Sequence, residues 1–167
     1  GQMDIIGTEQ RINLMRHYEE YMHDGGLPAA ALLPVRTNYL NSVYQKIYLG
    51  DIIARNKITN VAGMRVLVRK MAESVCRPIS YNRINSLMSS VGGKLSLATT
   101  IKYIEYCEDA WLLLRLKNYV SCLADKESNC KYYFIDNGIF RLFLIDKDSR
   151  LLENMVALHL FRKYGHD

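Results

Sequence analysis

The stretch SYNRINSLMSSVGGKLSLATTIKYIEYC, Ser80–Cys107, decides the fold. It reads as two short helices joined by a glycine turn. The Ser80 hydroxyl can accept one of the N–H groups left free in an opening helical turn. Ile84, Leu87, Met88 and Val91 then follow at helical spacing on one face. Gly92-Gly93 stops that helix, because glycine reaches left-handed backbone angles without a Cβ clash. Ser96 can cap a second helix whose apolar face is Leu97, Ile101 and Ile104, with Thr99, Lys102, Tyr103 and Tyr106 pointing elsewhere. This is the outline of a helix-turn-helix, and its outer face suits a phosphate or base partner.

Upstream, Asn60 opens a strongly amphipathic helix. Met64, Leu67, Val68, Met71, Ala72 and Val75 recur at i, i+3, i+4, i+7, i+8 and i+11, and Pro78 closes it. Downstream of Ala110 the pattern changes. WLLLRLKNYV and KYYFIDN are rich in large apolar and β-prone residues, and the polar ADKESNC between them reads as a turn. Trp111, at the start of the first strand, is expected in the core. Helices followed by a β-hairpin give the order of a winged helix, the hairpin being the wing. The expected fold is therefore mainly α with a small β-hairpin, a winged-helix core flanked by additional helices.

Toward the N-terminus, Thr8–Asp24 predicts an amphipathic helix capped by Thr8, with Ile12, Met15, Tyr18 and Met22 on its buried side. Gly25-Gly26 ends it and Pro28 forbids its continuation. Residues 27–35 form a proline-bounded link. A second helix is predicted from Arg36 through Leu49, with Val43, Tyr44 and Ile47 inward. Asp51, after Gly50, can cap a short further helix. At the other end, Leu151–Tyr164 is helical again. Its apolar residues Leu152, Met155, Val156, Leu158 and Leu160 spread around more than one face, so it needs cover from more than one side.

The 167 residues suffice for one ordinary domain or two small ones, and 49% are hydrophobic, so a real core can form. No run of eighteen or more apolar residues predicts a membrane span. No basic, apolar leader is visible, so a cytoplasmic chain is expected. The opening Gly1 in place of methionine fits a piece of something longer. The net charge is +5. Between Asn60 and Ile104 the bases are Arg65, Arg69, Lys70, Arg77, Arg83, Lys94 and Lys102, against the single acid Glu73. That excess falls on the helix-turn-helix region, where a phosphate backbone would be met. Cys76, Cys107, Cys122 and Cys130 match no zinc or redox spacing. Cys122 and Cys130 could meet across the hairpin, but free thiols are expected in a chain without a secretion signal. His17, His23, His159 and His166 do not cluster. There are no internal repeats.

Several stretches, in order, resemble the C-terminal region of a large prokaryotic family of P-loop ATPases of the AAA type. In that family an ATPase core is followed by a winged helix and then a restriction-endonuclease-like domain. The turn after the core's last helix is similar to YMHDGGLP, with Leu27 in place of an aromatic residue. A tyrosine-led helix is matched by YQKIYLGDIIAR, which keeps Asp51 and Arg55 but has Gly50 where a lysine is usual. Thr100, Ile101 and Tyr103 match the winged-helix signature, KYYFIDNG a strand end, and LLEN, from Leu151 to Asn154, a following helix. The resemblance implies three parts: residues 1–57 as the end of an ATPase core and linker, 58–136 as the winged helix, and 137–167 as the start of a truncated nuclease-like domain.

It also implies what this chain lacks. No GxxxxGK[ST] loop is present to hold nucleotide phosphates. ATP and magnesium are expected only for the full-length protein, and no cofactor or catalytic residue is expected here. Of the nuclease metal ligands only Glu153 could correspond to one. The expected role is a non-catalytic fragment that tethers the motor to duplex DNA. Thr99, Thr100, Lys102, Tyr103 and Tyr106 would face the DNA, with Arg83 and Lys94 near its backbone. The alternatives are a module whose same basic face docks on the ATPase core or another protein, and a stand-alone dimeric transcription regulator sealed by the helix from Leu151.

Overall fold

The computed structural model describes residues 7–117, 130–144 and 148–165. At its centre three helices, α4 (Val61–Ser74), α5 (Tyr81–Gly92) and α6 (Leu97–Asp109), are followed by strands β1 (Leu113–Leu116) and β2 (Lys131–Phe134). The strands pair antiparallel, Leu113 opposite Phe134 and Leu116 opposite Lys131. The protein is thus mainly helical with a small two-stranded sheet, in winged-helix order. The tip of the predicted hairpin and Cys122 lie outside the described residues.

Local chemistry places each helix start. Asn60 Oδ1 accepts the Gly63 N–H at 2.8 Å, Ser80 Oγ that of Arg83 at 3.4 Å, and Ser96 Oγ that of Thr99 at 3.0 Å. Each satisfies a donor that the first helical turn cannot pair internally. The α4 stripe Met64, Leu67, Val68, Met71, Ala72 and Val75 is buried throughout. Gly93 has φ 85°, as the turn requires. Gly92 answers to a different constraint. A Cβ there would run into the Asn60 side chain, so the end of α5 closes on the start of α4 only without one.

Before this centre, α1 (Thr8–Asp24), the single-turn α2 (Pro28–Ala31) and α3 (Arg36–Gln45) lead into a π-helix, Lys46–Ala54. Three expectations are corrected here. Helix α1 is preceded by Gly7 as its cap, and the Gln10 side chain accepts the Gly7 N–H at 3.2 Å; Thr8 is already helical. Its predicted buried side is not buried. Ile12 is 64% exposed and Met15 53%, because only the C-terminal end of α1 packs on the rest. Asp51 caps nothing, since the helix runs on through Gly50. The buried line Leu40, Tyr44, Tyr48, Ile52, one residue in four, carries the chain through that wider turn.

After β2 come α7 (Asn137–Arg141) and α8 (Asp148–Tyr164). They close a joint of buried side-chain amides. The Asn154 carboxamide accepts the Phe134 N–H at 2.8 Å and donates to the Phe134 carbonyl at 2.9 Å and to Asn137 Oδ1 at 2.9 Å. Asn137 in turn donates to the carbonyls of Met22 and Leu151, at 2.8 and 2.9 Å. Beside it, Asp136 accepts the Gly26 N–H at 2.8 Å and caps α7 through Ile139. Asp24 pairs with Arg36 at 2.6 Å and Arg141 at 3.0 Å. One apolar core therefore runs through all three sequence segments, from Leu40 and Ile52 through Met71 and Ile104 to Phe140 and Leu151. Phe134 stacks on Phe140 at 5.1 Å, and Phe143 meets the Tyr44 ring edge-on at 5.0 Å.

Truncating Asn154 to alanine would leave the buried N–H and carbonyl of Phe134 without partners. The expected cost is about 3 kcal/mol, in line with buried polar groups left unpaired. It is checked by the shift in urea midpoint, and a loss below about 1 kcal/mol would contradict this account.

Candidate nucleic-acid interface

Helices α5 and α6 are held at their turn by one side chain. Asn85 Nδ2 donates to the carbonyls of Leu95 and Ser96, each at 3.1 Å, and to the Thr100 hydroxyl at 2.9 Å. Thr100 is consequently 0% exposed, with Met88 Sδ at 3.8 Å from its hydroxyl. This sets the roll of α6. Its inner face is Thr100, Tyr103, Ile104 and Cys107, whereas Leu97 is exposed and Ile101 half-buried. The expected outward face is corrected accordingly. Thr100 and Tyr103 point into the protein and cannot meet a ligand directly, and burial raises the Tyr103 hydroxyl above its ordinary value.

The other named residues stay accessible. Arg83, Lys94 and Lys102 are exposed, and none forms an ion pair among the described residues. Thr99 and Tyr106 are half-buried. The Thr99 hydroxyl shares a hydrogen bond with Ser96 Oγ at 2.8 Å, and the Lys102 ammonium lies 5.9 Å from the Tyr106 ring centre. Lys94 adjoins Leu95 and so stands just before the opening turn of α6, Lys102 follows in the second turn of that helix, and Arg83 lies in the first turn of α5. The opening turn of α6 also carries the positive end of the helix dipole.

Of the remaining bases, Arg65, Arg69 and Arg77 are exposed on or just after α4, Arg65 and Arg69 acting on the Tyr44 hydroxyl and Arg65 on that of Tyr48, while Lys70 pairs with Glu73 at 2.8 Å. On α6 itself Glu105 and Asp109 continue the exposed ridge beyond Lys102. Along α6 the exposed cation, Lys102, therefore lies in the first half and the exposed acids in the second.

Sequence reasoning missed two features. Trp111 is not in the core: it is 63% exposed with φ 54°. The chain leaves α6 through a left-handed turn there, the Trp111 N–H bonding the Glu108 carbonyl at 2.9 Å, and Leu112 and Leu113 take the buried places. The second is a polar group at the root of the hairpin. Glu108 lies 3.3 Å from Arg115, while the Tyr132 hydroxyl meets that of Tyr81 at 3.0 Å. Burial raises the Glu108 carboxyl above its usual range, partly offset by Arg115 and by a hydrogen bond from Tyr132.

Glu153 is occupied by other contacts. It accepts from the Tyr133 hydroxyl at 3.2 Å and lies 3.7 Å from Lys131. Burial, with Glu153 adding to it, pushes the Cys76 thiol up to about 12. No cluster of three or more His, Cys, Asp or Glu residues with metal-binding geometry occurs among the described residues. Nor is any helix there long and apolar enough to cross a membrane.

Fold and surface together define a winged-helix protein with a small basic face at its helix-turn-helix. The chain belongs to the family described as a domain of unknown function, DUF8612, whose profile matches residues 15–150. It is 28% identical over 160 residues to the uncharacterized protein MJ1544 of Methanocaldococcus jannaschii, covering 93% of this chain and 36% of that one. It is 26% identical over 152 residues to an uncharacterized protein of Haemophilus influenzae, covering 87% and 38% respectively. The chain thus spans little more than a third of the length of these relatives. No solved structure matches it significantly.

The raised Glu108 carboxyl has a definite sign in stability. A folded-state value above the unfolded one means that the native state holds the proton more tightly. The contribution is favourable below the ordinary 4.5 and is lost as pH rises through the folded value. Glu108→Gln should flatten the fall in stability over that window, read from urea midpoints against pH. An unchanged slope would show that Glu108 is not its source.

Proposed function

We propose that this chain is the non-catalytic C-terminal part of a longer, cytoplasmic AAA-type ATPase, and that its winged helix binds duplex DNA. The observation that carries the DNA reading is the trio Arg83, Lys94 and Lys102, exposed and without acidic partners among the described residues, on the two helices of the helix-turn-helix and the turn between them. Unpaired cations at a helix N-terminus suit phosphate oxygens. The ATPase reading is supported by the ordered motif pieces and by the greater length of both relatives. ATP hydrolysis would belong to the rest of the protein.

A second reading is favoured by a different surface. The apolar side of α1 is bare. A groove of about 610 Å³ between β1 and α8 is lined by Leu114, Leu116, Val156 and Leu160. Exposed apolar patches of this kind mark docking sites. On this reading the chain is an interaction module that docks on the ATPase core or a partner protein, or a dimeric regulator joined through α8. Light scattering of the isolated chain tests the last form, which requires a stable dimer.

The DNA reading is tested by anisotropy titration of duplex DNA at two salt concentrations. Affinity should fall steeply with salt, the log–log slope being about 0.9 per phosphate neutralised, so Arg83→Glu with Lys102→Glu should lower the slope by about 2. Absence of binding at low salt sinks the DNA reading. Undiminished binding by the double variant moves the interface off this face.

A further inference from the structure

We infer that the helix-turn-helix binds duplex DNA without selecting its sequence, an inference that rests on the DNA reading above. Helix α6, LATTIKYIEYCED, contains no Arg, Asn, Gln or His. The base-reading forks are a guanidinium on guanine and a carboxamide on adenine; a lysine can also reach guanine, and on α6 Lys102 is the one side chain of that kind, a point charge without fork geometry. Neither fork is available from this helix. Burial then withdraws Thr100, Tyr103, Ile104 and Cys107. Asn85, the carboxamide at the turn, spends its N–H groups on Leu95, Ser96 and Thr100.

What remains exposed along α6 is Leu97, Ala98, Lys102, Glu105 and Asp109, with Thr99 at the edge and its hydroxyl held by Ser96. Two of these are carboxylates in the second half of the helix. Phosphates flanking a groove would repel them, so α6 cannot lie deep along its length. The opening turn meets the duplex instead, bringing Lys94 to the backbone, with Arg83 on α5 as a further phosphate contact. Contacts of that type fix position and orientation but carry no sequence information. A tether for a moving motor needs this property: grip that does not change from one site to the next.

Selection by the whole chain from a random-sequence duplex pool is the test, followed by titration of AT-rich and GC-rich duplexes of equal length. No motif should be enriched. The two affinities should agree within about tenfold, against about 10³-fold or more for a protein bound at its specific site. An enriched motif or a larger preference overturns the inference and leaves the DNA reading standing. Glu105→Gln should strengthen binding to both duplexes alike; a change confined to GC-rich DNA would mean that Glu105 reads the cytosine amine, and would also overturn it. If no duplex binds at low salt, the DNA reading falls and this inference with it.

Discussion

The carboxamide of Asn154 holds the architecture together. A two-stranded sheet is marginal alone, because its outer edges leave backbone groups unpaired. On β2 the outward N–H and carbonyl of Phe134 both find Asn154, at 2.8 and 2.9 Å. A carboxamide presents a donor and an acceptor side by side, as a neighbouring strand would. Its remaining N–H reaches Asn137, which bonds the end of α1 and the start of α8. With Asn154 0% exposed, water cannot substitute for any of these bonds. The wing, the terminal helices and the core are therefore tied through one residue pair.

That joint gives physical content to the motif pieces in the sequence. YMHDGGLP, KYYFIDNG and LLEN are far apart in the chain and meet at this point. Gly25 takes φ 79°, and a Cβ on it would run into the Asp136 carboxylate. Asp136 then receives the Gly26 N–H and caps α7. Asp24 holds Arg36 and Arg141 on either side. Each string supplies partners to one buried polar network, which is costly if left partly satisfied.

Legibility followed the range of the forces involved. Caps at Asn60, Ser80 and Ser96 act over three residues and were readable. So was the α4 stripe, whose six apolar residues leave one way to face inward. The roll of α6 was not. Counting apolar residues put Leu97 and Ile101 inside, yet Thr100 is buried because Asn85, fifteen residues earlier, satisfies its hydroxyl. Once such a partner exists, threonine packs as a small apolar residue and the larger Tyr103 gains cover beside it. The buried side of α1 failed for the opposite reason. Periodicity marks a face that seeks cover and says nothing of where the cover comes from. Trp111 was misplaced because its exposure depends on a left-handed turn, disfavoured for a residue with a large side chain and unmarked by any glycine. Of the basic excess, Lys70 is taken by Glu73, while Arg65 and Arg69 stay exposed on α4.

The two functional readings use different atoms. DNA contact would draw on Arg83, Lys94, Thr99 and Lys102, on α5, α6 and the turn between them. Docking would draw on Ile12 and Met15 of α1 and on Val156 and Leu160 of α8. No residue serves both. Helix α1 has seventeen residues and none is buried, whereas in proteins most helical stability comes from packing an apolar face. Its apolar side is a standing cost that cover from elsewhere would remove, whereas the basic face costs nothing while solvated. A module that couples a larger machine to DNA requires both kinds of surface at once: an apolar one that becomes buried permanently, and a charged one that releases and rebinds as salt and sequence pass beneath it.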